Sequence, residues 1–302
     1  NTGITLDSGT FTSEGVDFHN SGGIITTNDG KVDIQNTGNV TIGANINAGA
    51  GDVDIDGGTG VATSIIDGGG TITSSSTINL EASGDIGVSG AAIDTAATGT
   101  INATSTVAGD IYIDNTGAVT LGTVSTTASD IVINNTGNLS VNSIIAGSGG
   151  NVTINSTGAI DNNAAVDGVA NVVGGVIDLT ADSGGIGQST TLEVTSTTEL
   201  NTDTTADGSN IDIDSIGDLP VGLVDAGAGD VTLDSSGNIM GVTDDTTADV
   251  AGSTINLTAA VGGIGNALDV KATTALNADT AAGDDSAIVI DSIGDLPVGL
   301  VD

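Results

Sequence analysis

The side chains able to do chemistry in this chain are almost all carboxylates. There are 39 acidic residues against two lysines (Lys31 and Lys271), one histidine (His19), no arginine and no cysteine, for a net charge of −37. The carboxylates gather in short runs: Asp52/Asp54/Asp56, Asp212/Asp214, Asp244/Asp245 and Asp284/Asp285. Oxygen-rich clusters of this kind suit calcium, which takes six to eight oxygen ligands. Neither an EF-hand loop nor the GGxGxDx(apolar)x repeat-toxin motif is present, so a solvated acidic face is the competing reading. Calcium stays open as a bound ion; no residue is assigned to it.

Other chemistry finds less support. Paired carboxylates also serve glycosidases at separations of ~5–9 Å, but outward aspartates on stacked strands meet that spacing by repetition alone. Aromatic residues, the usual platforms for sugars, make up 1% of the chain. His19 has no second histidine to share a metal or a proton relay. The run Gly68 to Gly70 leads into no helix and no lysine, which excludes a phosphate-binding loop. Sequons at Asn39, Asn102, Asn138, Asn151 and Asn256 are expected in so Asn/Thr-rich a sequence. Thr71-Ile-Thr and Thr195-Ser-Thr do not recur at the spacing an ice-binding face needs. No catalytic, cofactor-binding or metal-ligating residue is assigned, and the chain reads as a non-enzyme.

Charge and hydropathy narrow the partners. A surface with two bases repels nucleic acid and anionic membranes, which are bound through Lys/Arg contacts. No run approaches the ~18 apolar residues of a membrane helix, so membrane insertion is not expected. Mean hydropathy is +0.24, too apolar for intrinsic disorder. Two lysines also leave trypsin-like proteases little to cut. The self-repulsion calls for screening, and the Debye length shrinks from ~10 Å at 0.1 M salt to ~3 Å at 1 M.

The elements that must carry these residues follow from a repeat. Ile213 to Asp225, IDSIGDLPVGLVD, returns letter for letter at Ile290 to Asp302, 77 residues on. The second copy predicts a longer array of which this chain is a piece. Within the run, apolar segments of two to five residues alternate with Ser, Gly and Asp, the residues that tolerate sharp corners. Ile211-Asp-Ile-Asp returns as Val231-Thr-Leu-Asp after 20 residues. β-Branched segments with this period and frequent glycine argue against helix and for an all-β chain. The expected fold is a right-handed, three-sided parallel β-helix (β-solenoid) of about 20 residues per rung, hence roughly 15 rungs in 302 residues, stacked at ~4.8 Å.

The register is clearest from Val32 onward. Units such as Val32-Asp-Ile-Gln-Asn-Thr-Gly, Ile111-Tyr-Ile-Asp-Asn-Thr-Gly, Ile131-Val-Ile-Asn-Asn-Thr-Gly and Val152-Thr-Ile-Asn-Ser-Thr-Gly recur. They suggest one continuous solenoid over 1–302, in four-rung blocks near 34–113, 133–213 and 213–290 with one extra rung at 113–133. The first 30 residues read as further coils. Alternation across a strand points Val53 and Ile55 inward and Asp52, Asp54 and Asp56 outward. It also lets Asn36, Asn115 and Asn135 stack as an amide ladder. The polar run Gly241 to Gly252 reads as a loop bulging from one corner.

A second signature completes the pattern: Thr77-Ile-Asn-Leu-Glu-Ala, Val176-Ile-Asp-Leu-Thr-Ala and Thr254-Ile-Asn-Leu-Thr-Ala, the last two leading into Gly-Gly-Ile-Gly. With these units the chain, over most of residues 32–302, resembles the repeat region of filamentous-haemagglutinin-like exoproteins and related giant bacterial β-strand-repeat proteins. The resemblance implies a right-handed parallel β-helix, secreted to the bacterial surface as an adhesin stalk or extracellular fibre. The functional expectation is a structural filament or stalk segment that associates end to end or continues within a longer array. The alternative is an adhesin module that grips a glycan or cell surface with its corner loops.

Overall fold

The computed structural model describes residues 3–58, 60, 62–147, 149–280 and 286–302. Asp284/Asp285 therefore lie outside the described residues. Those residues contain no helix. The chain is an all-β solenoid of stacked parallel coils, about 14 turns of about 21 residues each. Two compact units, Asn1–Thr153 and Ile154–Asp302, divide it.

In the first unit three strand columns are visible. Ile4–Thr5, Ile25–Thr26, Ile46–Asn47 and Ile72–Ser74 form one. Phe11–Gly15, Val32–Asn36, Val53–Asp56, Thr77–Ala82 and Thr100–Ser105 form the second. Phe18–His19, Val40–Ile42 and Ile65–Asp67 form the third. Residues 4–30 thus form true coils, with Phe11 and Phe18 meeting edge to face at a centroid distance of 6.3 Å. Farther along, Ile111–Thr116 takes over two columns at once. Its Ile111 follows Ile86, itself bridged to Ile65, while Ile113 pairs with Ile93.

The interior is made by alternation. Val53 and Ile55 are buried below half-buried aspartates, and stacked Val, Ile and Leu side chains continue along every column. This is the thin aliphatic core that a chain without tryptophan can build. One predicted ladder forms inside a corner: the buried Asn115 amide donates to Asn135 Oδ1 at 2.8 Å, and the Thr95 hydroxyl donates to Asn115 Oδ1 at 2.9 Å. Asn36 is not part of it, since its column places it beside Gly15.

The second unit corrects the expectation of four-rung blocks. Ser215 pairs with Ser235, Ser235 with Ala259 and Ala259 with Thr280, three turns in one column. Its counterpart in the repeated run, Ser292, stands in another column, reached through Thr202, Val224, Val250 and Val270. The 77-residue repeat thus advances by three turns and part of a fourth, so identical sequence falls on different sides. The reason is uneven coil length. Ile211 pairs with Val231 after 20 residues, whereas Val224 pairs with Val250 after 26.

The extra residues enter at one kind of corner. A register shift lies between the pairs Leu200–Val221 and Thr202–Val224, with Gly222 and Leu223 in the gap. The Leu223 N–H donates to Asn201 Oδ1 at 2.7 Å. A Cβ on Gly222 would come within 3 Å of the Glu199 and Asn201 side chains, which would have to shift to admit it. Thr123 on Asn102 and Leu300 on Asn277 repeat the device. In the coil after Leu223 the same corner carries the loop 242–249. That loop is shorter than the expected Gly241 to Gly252, because Gly241 ends one strand and Val250–Gly252 begin the next.

Candidate functional site

The acidic corners come first, because they hold most of the candidate chemistry. At several corners the strand's first inward residue is preceded by Asp or Asn, and that side chain accepts an amide of the following coil. Asp85 Oδ1 takes the Asp110 N–H at 3.0 Å, Asp110 takes that of Asp130 at 3.0 Å, and Asp130 takes that of Asn151 at 2.9 Å. In the second unit Asn210 takes the Asp230 N–H and Asp230 takes that of Thr254, both at 2.8 Å. Here the carboxylates act as caps for backbone groups that a parallel corner would otherwise leave unpaired. Sequence reading missed this role. The signal was present, as Asp or Asn directly before the first inward residue in Asp110-Ile111, Asp130-Ile131 and Asp230-Val231.

Three of the four clusters singled out in sequence lie among the described residues. Asp52 accepts from the Ser76 hydroxyl at 2.6 Å and the Thr77 N–H, and the Ser76 bond above all holds its carboxyl below the usual range. Asp54 pairs with Lys31 at 2.6 Å and accepts the Asn79 amide at 2.5 Å. Asp56 accepts the Gly58 N–H. Asp212 and Asp214 are partly buried and pushed above the usual carboxylate range, in each case mainly by burial and then, among other groups, by the charge on Asp234. Asp245 folds onto its own loop, accepting the Thr247 N–H at 2.6 Å. Among the described residues no three His, Cys, Asp or Glu side chains converge as metal ligands. His19 lies on a two-residue strand and pairs with Thr41.

Two corner loops of the second unit cover outward carboxylates. Glu193 alternates outward between Leu192 and Val194 yet is fully buried, because residues 163–170 lie over it. Its carboxylate accepts the N–H groups of Gly168 at 2.5 Å and Asp167 at 3.2 Å, and the Asn162 amide at 3.5 Å. Asn171 completes the network, accepting the Glu193 N–H at 3.0 Å and donating to Asn162 at 3.0 Å. In the next repeat Asp249 replaces Asn171, Asp269 replaces Glu193 and Gly241 replaces Asn162. Both aspartates are only 4% exposed. Asp249 Oδ2 accepts the Asp269 N–H at 2.8 Å. Burial, with smaller contributions from the Asp269 and Asp245 charges, pushes Asp249 up to about 6.

The first unit holds a cleft of about 400 Å³ on its outer face. Asp94 and Asp114 are paired in adjacent coils, and Tyr112 precedes Asp114 by two residues, on the same face. Asp67 and the segment Ser89–Ala92 form the other wall. That segment is a tight turn closed by reciprocal backbone hydrogen bonds between Val88 and Ala91 at 3.0 and 2.9 Å. Burial first, then the charges of Asp67 and Asp114, push the Asp94 carboxyl up. Tyr112 is the only tyrosine in the chain. Sequence reading passed over this cleft, since its walls come from coils that are separate in sequence.

Comparison with protein-family models, with curated proteins and with solved structures finds no match. The fold itself is compatible with a β-helix repeat protein.

Proposed function

We propose that this chain is a structural, non-catalytic segment of a secreted extracellular filament or cell-surface stalk, of the filamentous-haemagglutinin-like kind that its repeat units resemble. The observation that carries this reading is the use of the acidic residues. Corner after corner, Asp and Asn side chains bond the next coil instead of converging on a site. A surface organised this way serves stacking and solubility. The scarcity of lysine and the lack of arginine and cysteine suit a bacterial cell surface exposed to proteases. The adhesin reading needs corner loops free to adapt to a glycan, and the loop 163–170 is instead fastened to Glu193.

We extend the proposal to end-to-end association. The strands Ile288–Ser292 and Val298–Val301 leave Val298 61% and Val301 48% exposed. In the identical internal run, the equivalent Val221 is covered by the strand Ile239–Gly241. A face of this kind accepts another coil, from a second copy stacked end to end or from further solenoid in one polypeptide. Backbone hydrogen bonding drives such pairing, while the −37 charge opposes side-by-side contact. Electron microscopy across NaCl and CaCl2 series tests this. Single thin fibres at low salt that bundle as the carboxylates are screened are expected. Discrete particles under every condition would overturn the filament reading.

A further inference from the structure

We propose that the cleft around Tyr112 is a binding site for an alkylammonium group, the chemistry carried by a lysine side chain or a free polyamine. Three features of the cleft converge on that ligand, and none depends on the filament reading. First, it is a formed concavity of about 400 Å³, walled by the Ser89–Ala92 turn and floored by strands of adjacent coils. That volume takes a short aliphatic chain with its charged end. Second, the outer face of these strands presents the single tyrosine ring in this fold. Cations sit over aromatic faces within about 6 Å of the centroid. Third, the carboxylates of Asp67, Asp94 and Asp114 line the same cleft, with no base among the lining residues.

The three carboxylates are not equally committed. Asp67 accepts the Gly69 N–H at 2.9 Å, and Asp114 accepts the Asn134 amide at 2.7 Å. Asp94 makes no side-chain hydrogen bond among the described residues, although it lies between two like charges. An ammonium group would relieve that repulsion and supply three donors. The ring separates this ligand from a metal ion. Calcium needs six to eight oxygens, and no three acidic side chains converge here closely enough to hold one. A ligand with an aliphatic stem uses the ring and the apolar Ala91, Ala92 and Val132 walls, which a hydrated ion does not.

The composition provides the readout. With one tyrosine and no tryptophan, intrinsic tyrosine emission of the full chain reports Tyr112 alone. Spermidine and N-acetyl-lysine methylamide would be titrated by calorimetry and by emission, with NaCl and CaCl2 at matched ionic strength as controls. Saturable heat together with a saturable emission change, for either amine and for neither salt, is the expected result. The two amines separate a polyamine site from a lysine side-chain site. Asp94→Asn should weaken binding about tenfold, the scale of one lost charge contact in a partly desolvated site. It relieves like-charge repulsion, so folding is retained. Asp234→Asn, in the other unit, should leave affinity unchanged. No saturable heat, heat without an emission change, an equal response to CaCl2, or full affinity in Asp94→Asn would each overturn the proposal.

Discussion

Ile213–Asp225 and Ile290–Asp302 have the same sequence and different surroundings. In the first run Ile213, Leu219, Val221 and Val224 are fully buried. In the second, the equivalents of Val221 and Val224 are exposed, Val298 to 61% and Val301 to 48%. Nothing local distinguishes the copies; the first is covered by a further coil and the second is not. Burial in a solenoid is therefore a property of the neighbouring turn, as expected where each repeat contacts only its neighbours. The sharpest way to break the comparison is to place one charge at the two equivalent positions. Ile213→Asp buries an unpaired carboxylate in a one-ladder core and should cost about 4–5 kcal/mol. In a chain of these 302 residues Ile290→Asp should cost about 1 kcal/mol or less, because there its strand is paired on one side only, with Leu268–Val270. Chemical denaturation of both variants decides it, and equal losses would mean that Ile290 is covered in solution.

The two corner loops of the second unit sharpen the same lesson with different residues. The loop over Glu193 has a neutral amide, Asn171, beside the carboxylate, and every group is bonded. The loop over Asp269 sets Asp249 against it, two acids one coil apart. Glu193→Ala would leave the N–H groups of Asp167 and Gly168 without their acceptor and should destabilise by about 3 kcal/mol. Loss of hydrogen-exchange protection at those two amides is the local check. A global loss with both amides still protected would show that the carboxylate does not hold the loop.

Asp249 should behave in the opposite sense. Its folded-state value, about 6, lies above its ordinary 3.8. Between those values the folded chain binds more protons than the unfolded one, so stability falls as pH rises from about 4 to about 6 and levels off above. Asp212 and Asp214 are shifted in the same direction and add to that slope. Asp249→Asn copies the Asn171 arrangement and keeps an oxygen to accept the Asp269 N–H. It should raise stability at pH 7 by about 2 kcal/mol and flatten the slope between pH 4 and 6. An unchanged pH profile would show that Asp249 carries no such strain.

These sites explain what was legible in the sequence. Val53, Ile55 and Ile213 could be placed inward because a strand alternates with period two and β-branched residues stack well. The coil length could be counted from Ile211 to Val231. The side of the solenoid could not, because the loop 242–249 lengthens one coil and turns Ser292 away from the column of Ser215. Glu193 reads as an exposed residue by alternation, and it does point outward. Its burial comes from a loop whose path no periodicity encodes. The Tyr112 cleft depends on Asp67, Asp94 and Asp114 arriving together from three coils, a coincidence of stacking and not of spacing.

Thr202 offers the smallest and most controlled test of the repeat comparison. It lies between Leu179 and Val224 in an inward column, 2% exposed, and its hydroxyl is the one buried side-chain polar atom without a partner among the described residues. The equivalent residue of the next copy is Ala278, between Leu257 and Val301. One copy thus retains an unpaired hydroxyl that the other lacks. Thr202→Val keeps the branched shape, favours a strand and removes the desolvated oxygen, so it should stabilise by about 1 kcal/mol. Thr202→Ala, which reproduces the second copy, also opens a small void, and the two effects should nearly cancel. Thr202→Ser keeps the hydroxyl and loses the methyl group, and should destabilise by about 1 kcal/mol. The order Val above Ala above Ser in urea midpoint, at constant slope, is the expected outcome. A midpoint for Thr202→Val below that of the parent chain would mean that the hydroxyl finds a partner in solution and that the two copies differ there by design of the column.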